Sequence, residues 1–269
     1  MSNMIQATKP ITLPPIHPNA GLQRLYQRQL EKIIDQMHKS VSYWLKVVYN
    51  AHRPEMAQDE SPTVILTKVM KRLAKRWEKN FDDYADKLAR YFSTSVKDRV
   101  DGTLKNLLKK SGYAVEFKLT PQANDVLQAT IHQNVSLIKS IASRHFEEIE
   151  GLVLRSVTTG RDLKTLTDEL QHRYQVTRRR AAFIARDQNN KATAVITRVR
   201  QEGLGITEAL WKHSHAGKVP RPEHVKFNNQ KYDISKGMWS EVDQEWVWPG
   251  TAINCRCGSR SIIPGLKRA

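Results

Sequence analysis

The sequence predicts a mainly α-helical body followed by a small α+β C-terminal module. Three observations lead there. From Ala20 to about Gly203 apolar residues recur at helical spacing almost without a break. The stretch after it is rich in tryptophan, glycine and proline and has no sustained period of 3.6. The opening stretch is polar and proline-rich, with no helical pattern. The expected organisation is an extended N-terminal arm over 1–19, a helical domain over 20–176 and a C-terminal module over 177–269.

Prolines between residues 8 and 18 favour an extended arm, more suited to lying on a partner than to packing in a core. A long helix then opens at Ser61 as N-cap and Pro62 as first helical residue. Its stripe runs through Val69, Leu73, Trp77, Phe81, Tyr84 and Leu88 at steps of three and four. "DGTLKNLLKKSGY" supplies a turn at Gly112, and Thr120 with Pro121 repeats the start signal. The stripe that follows is Val126, Ile131, Val135, Ile138, Ala142, Phe146, Ile149 and Val153. A further helix is expected from Thr177 as N-cap to Gly203 as its left-handed C-terminal residue. Beyond it, strand-forming residues surround Trp211 and Val225, separated by a Pro-Arg-Pro turn, and Asn228 with Asn229 signals a hairpin. Large apolar areas predict burial of Trp211 and of at least one of Trp246 and Trp248.

Lysines and arginines outnumber acids 44 to 27 among 269 residues, a net charge of +17. That excess favours a polyanionic partner and says nothing about fold. Lys71, Arg72, Lys75 and Arg76 lie opposite the Leu73 and Trp77 stripe, and a second group comprises Arg178, Arg179, Arg180 and Arg186. A solvated polar face is the plainer reading of either run. No aromatic residues interleave the arginines and no helix-turn-helix or zinc-finger spacing is present, which argues against base readout and for phosphate contact with duplex DNA. No apolar run approaches the roughly 18 residues of a membrane span, and no signal-peptide pattern opens the chain, so a soluble cytoplasmic product is expected.

The two cysteines, Cys255 and Cys257, sit one residue apart in "AINCRCGSRS". On an extended strand they would share a face about 7 Å apart, too far for a disulfide. The segment "RRRAAFIARDQNN", the tryptophan-led "LWKHSH", "RPEH", "WPG" and "CRC" follow one another in that order. Together they resemble the phage Mu F-like family of head morphogenesis proteins, over about residues 177–263. The matching positions are Ile184, Ala185, Arg186, Trp211, Arg221, His224, Pro249, Gly250, Cys255, Arg256 and Cys257. The chain departs from the family at Asp187 and Gln188, where members commonly carry Thr and Glu, and it has no acidic residue in the turn before "RPEH".

The resemblance implies a minor head protein of a tailed double-stranded DNA phage or prophage, acting in procapsid assembly at the portal vertex. Its implied partners are portal, capsid or scaffold proteins and packaged DNA, with no membrane partner. Its implied location is the phage head, after assembly in the host cytoplasm. Arg221 and Arg256 join the basic residues as candidate contacts for DNA or a protein partner, Arg256 because it faces away from the cysteines flanking it on a strand. No catalytic group and no required cofactor are evident, and zinc is the one metal whose ligand chemistry is on offer. Cys255, Cys257 and His224 with His213 or His215 would complete a tetrahedron. The competing reading packs both cysteines as small apolar groups while His224 bonds a loop backbone. An alternative function is a metal-dependent nuclease with His224 as base and Asn228 or Asn229 orienting it.

Overall fold

The computed structural model describes residues 7–51, 62–158, 163–216 and 219–266. Among them are four long helices, α1 Ala20–Ala51, α2 Pro62–Lys110, α3 Pro121–Thr158 and α4 Leu163–Gly203, and a one-turn helix α5 Pro222–Lys226. The strands are β1 Ala7–Thr12, β2 Glu208–Lys212, β3 Lys231–Asp233, β4 Met238–Ser240, β5 Glu245–Val247 and β6 Gly258–Leu266. This is the helical body with a small sheet-bearing C-terminal region that the sequence predicts. No described helix is long and apolar enough to cross a membrane.

Helix ends follow local chemistry. Asn19 caps α1 by accepting the Leu22 N–H at 2.9 Å, and the Thr120 hydroxyl accepts the Ala123 N–H at 3.2 Å ahead of α3. The expected cap Ser61 lies outside the described residues. Helix α2 continues through Gly102 and stops at Gly112, whose φ of 94° needs a residue without a Cβ. There Tyr113 N–H reaches Leu108 O and Gly112 N–H reaches Lys109 O, the paired bonds of a Schellman stop.

Two expected boundaries of α4 are corrected. The helix begins at Leu163, so Thr177 lies inside it, and its hydroxyl bonds back to Arg173 O at 2.9 Å. Threonine offers the same hydroxyl for a cap and for this back-bond, and only the preceding residues distinguish them. At the other end, Gly203 is the last helical residue and Gly205, at φ 71°, takes the left-handed position. Ile206 N–H to Gln201 O and Gly205 N–H to Glu202 O close that stop. The border between residues 176 and 177 therefore falls within a continuous helix.

The chain folds as two compact units, each assembled from separated segments. One comprises 24–90 and 131–185, a unit whose described residues are all helical, with fully buried Leu30, Ile34, Met37, Phe81, Ile138 and Ile149 at its core. The α1 stripe of Tyr26, Leu30, Ile33, Ile34, Met37, Val41 and Leu45 shows why, since steps of three and four keep one face apolar.

The other unit comprises 1–23, 91–130 and 186–269 and contains the sheets. Four strands lie in the order β1-β6-β2-β3, every pairing antiparallel, and β4 pairs with β5 as a separate hairpin. The proline-rich arm is thus not free to lie on a partner over its described length. It forms edge strand β1, and Leu13 and Ile16 beyond it are buried at 2% and 8% exposure. Proline is accommodated because β1 is an edge strand with an irregular register, where Lys9 and Pro10 sit between the pairs Thr8–Gly265 and Ile11–Ile263. Val225, expected near a strand, lies in α5, whose start Pro222 favours.

Candidate functional site

The site belongs to the sheet-bearing unit and is built on the C-terminal half of α4. That stretch carries a polar run, Asp187, Gln188, Asn189 and Asn190, all buried on a helix where apolar residues would be expected. Asp187, Asn189 and Asn190 tie the helix to distant parts of the chain. Asp187 accepts the backbone N–H of Asn254, Asn189 donates to Asn19 O at 3.2 Å, and Asn190 donates to Cys255 O at 3.0 Å. Three turns on, Gln201 donates to the hydroxyls of Ser259 and Ser261 on β6 at 3.1 and 2.7 Å. Arg200 grips Asp101 of α2 at 2.7 and 2.8 Å and donates to Lys118 O at 2.8 Å. The sequence marks Asp187 and Gln188 only as departures from the family pattern, and it does not single out Asn189, Asn190, Arg200 or Gln201. A run of four uncharged or acidic polar side chains inside a helical pattern is the signal that could have found them.

The loop before β6 is shaped by two left-handed residues, Gly250 at φ 91° and Asn254 at φ 57°. A Cβ on Gly250 would stand 2.7 Å from the Ala194 Cβ and 3.1 Å from Cys257 O, so the loop touches α4 only because that residue is glycine. Cys255 and Cys257 precede β6 and are not part of a regular strand. Their sulfurs therefore do not stand apart as strand geometry would place them. Both are free thiols, both are buried, and their Sγ atoms lie 3.4 and 3.8 Å from the same atom, His224 Nδ1. These three ligand atoms all fall within 4.8 Å of one another.

Position and packing fix His224. It sits on α5 at 3% exposure, edge-on to Trp211 with ring centroids 5.0 Å apart, and its Nε2 is buried with no partner among the described residues. Trp211 is fully buried and also meets Phe227 and Tyr232 edge-on, so one aromatic cluster holds the imidazole in place. His224 thus faces the cysteines and not a loop backbone. Cys255 is held well below the usual thiol range, first by the hydrogen bond from the Cys257 thiol and next by His224, against the opposing effect of burial. Cys257 is pushed upward because its proton is retained by Cys255 and its site is buried.

The "RPEH" motif divides its side chains between two jobs. Glu223 turns the other way and receives the Ser240 hydroxyl at 2.6 Å and the N–H groups of Glu241 and Val242 at 2.8 and 3.3 Å, fixing the β4–β5 turn. Those bonds hold its carboxyl below the usual carboxylate range, the Ser240 bond most. Asn228 is likewise occupied, accepting the His213 N–H at 3.0 Å, and Asn229 forms a turn at φ 64°. Neither asparagine is placed as an orienting partner of His224, as the nuclease alternative requires.

His213 is buried beside the cluster but outside the three-atom group, and its Nδ1 accepts the His215 N–H at 3.3 Å. Arg186, Arg221 and Arg256 line the same cleft as His213, His224 and both cysteines. Arg221 and Arg256 are exposed, and Arg256 donates to Ala216 O at 3.0 Å. Of the tryptophans, Trp248 donates to Ile234 O at 2.8 Å under the Arg198 guanidinium, 4.3 Å from its ring centre. Trp246 is half exposed and meets Trp239 edge-on at 5.6 Å.

In the helical unit the other basic candidates separate into two kinds. Lys71, Arg72, Lys75 and Arg76 are all exposed, as expected for the face opposite buried Leu73 and Trp77. Arg178 instead pairs with Glu31 at 2.8 Å and with the Tyr174 hydroxyl at 3.1 Å, and Arg180 donates to Ser140 at 2.9 Å. Arg179 is the exposed member of that triplet.

Comparison with known proteins agrees with the sequence resemblance. The chain is 25% identical over 256 residues to a protein from Haemophilus influenzae described as uncharacterized, an alignment covering 90% of this chain and 54% of the relative. The chain thus spans about half the length of that relative. No solved structure matches. Residues 147–260, which include all of α4, the aromatic cluster, "RPEH" and the cysteine pair, match the family described as phage Mu protein F like protein, to which the chain is similar over that region.

Proposed function

We propose that the protein is a minor head protein of a tailed double-stranded DNA phage or prophage, acting in head assembly at the portal vertex. The observation that carries this reading is the phage Mu F-like match over residues 147–260. Portal, capsid or scaffold proteins are its proposed partners, and DNA inside the head is a further, non-specific one. The net charge of +17 supports the DNA contact, as do the exposed Lys71, Arg72, Lys75 and Arg76 and the cleft arginines Arg186, Arg221 and Arg256. Assembly would take place in the host cytoplasm and the product would remain in the virion.

The test is to follow the chain through assembly. Mass spectrometry of purified particles is expected to find it in DNA-filled heads and not in shells lacking a portal, and deletion of its gene should yield aberrant or unfilled heads. Normal infectious particles that lack the protein would refute the proposal.

A further inference from the structure

We propose that His224 Nδ1, Cys255 Sγ and Cys257 Sγ form a zinc site whose fourth position opens to the cleft. This inference is independent of the role in head assembly.

The spacing of the three atoms suits the metal. Zinc binds thiolate at about 2.3 Å and imidazole nitrogen at about 2.0–2.1 Å in a tetrahedron, which sets ligand separations of about 3.6 Å for sulfur to nitrogen. The structure places the two sulfurs 3.4 and 3.8 Å from Nδ1, on either side of that value. A one-residue spacing between cysteines is short for a zinc site on a regular strand. Here the left-handed Asn254 and the bonds from Asp187 and Asn190 shape the chain into an irregular approach to β6, and the sulfurs converge.

Chemistry and surroundings point the same way. Two thiolates neutralise a divalent ion, so an occupied site places no net charge in a buried position. The soft sulfur pair selects zinc over magnesium or calcium, which take oxygen ligands. Trp211 and Phe227 fix the imidazole on one side, while Asn190 holds the Cys255 carbonyl on the other, so the donor set is positioned by packing and hydrogen bonds. All three ligands line the cleft that also carries Arg186, Arg221 and Arg256, and no fourth donor joins the group among the described residues. Water or an anion from the cleft then completes the tetrahedron.

The test uses the full chain, purified under reducing conditions without added chelator. One zinc per chain by elemental analysis is expected. After zinc removal, titration with cobalt should give a sulfur-to-metal charge-transfer band and the visible absorption of a tetrahedral ion. C255S, C257S and H224A should each weaken binding beyond the roughly 10–100-fold that loss of an outer partner costs, whereas H213A should retain the metal. Folding of each variant is checked by circular dichroism, and the wild-type cobalt spectrum decides the matter if a variant unfolds. A folded, reduced wild-type chain showing no thiolate band with excess cobalt would overturn the site. Loss of metal in H213A would overturn the open fourth position.

Discussion

The carboxylate of Asp187 on α4 accepts the backbone N–H of Asn254, the left-handed residue immediately before Cys255. The same carboxylate pairs with Lys191 at 2.9 Å, one helical turn on. Helix α4 thereby sets the path of the loop that delivers the cysteines. D187A should cost about 1.5–3 kcal/mol, the range for a hydrogen bond to a charged group, and D187N should cost less because an amide oxygen still accepts the N–H. Urea unfolding of the two variants measures this. Equal stability of D187A and wild type would mean that the loop is held by other contacts.

Gly250 supports the same loop through its missing side chain. G250A should destabilise for two separable reasons. A left-handed alanine costs about 1–2 kcal/mol, and its Cβ would press on Ala194. The variant A194G removes the second reason but itself costs about 1 kcal/mol, because residue 194 lies inside α4. The cost of G250A is therefore measured in both backgrounds, and it should be smaller with A194G than with the wild-type alanine. Equal costs in the two backgrounds would show that the close approach to Ala194 is unimportant.

The pH dependence of stability should have a component from His145. Its Nδ1 lies 2.9 Å from the Thr177 hydroxyl at 2% exposure, and burial, helped by the nearby His38, pushes its pKa down to about 4. The unfolded chain takes up a proton near pH 6.5, the folded one only near 4. This contribution is therefore fully present above about pH 6.5 and is lost as the pH falls toward about 4, a change of about 3 kcal/mol in all. His38, shifted the same way by burial, adds in the same direction. Thermal melts of wild type and H145Q from about pH 7 to about pH 4 would show it, and an unchanged acid slope in H145Q would assign the loss elsewhere.

The helical body is legible in the sequence because its signals are local. Thr120 with Pro121, and Gly112 at the end of α2, act within one turn of the backbone they start or terminate. The family resemblance likewise rests on residues read in order. What stays hidden depends on partners distant in sequence. Residues 7–12 become a strand only because β6, at the other end of the chain, supplies a partner, and a proline's own φ is fixed by its ring with or without one. Asp187 and Asn190 look like surface polar groups until residues 254 and 255 are brought against them. The ligand triad is half legible. Residue types name Cys255, Cys257 and His224, but strand geometry keeps the sulfurs apart and adds His213, whereas the loop preceding β6 brings three atoms together without it.

Positive charge spent on the fold of α4 is separable from positive charge available on α2. Arg178 is engaged by Glu31 and Tyr174, and Arg180 by Ser140, so R178A should lower stability by up to about 1 kcal/mol, as for a part-exposed pair, with little effect on DNA affinity. Replacing Lys71, Arg72, Lys75 and Arg76 together with glutamine should do the reverse. These four side chains project from the face of α2 opposite Leu73 and Trp77, so the helix core is untouched. For every phosphate that the variant no longer neutralises, the slope of log affinity against log salt should fall by about 0.9, because fewer condensed counterions are released. Duplex binding measured from about 50 to 200 mM salt, beside thermal melts, distinguishes the two sets. A salt slope unchanged in the quadruple variant would remove this face of α2 from the DNA interface and leave the cleft arginines as the candidates.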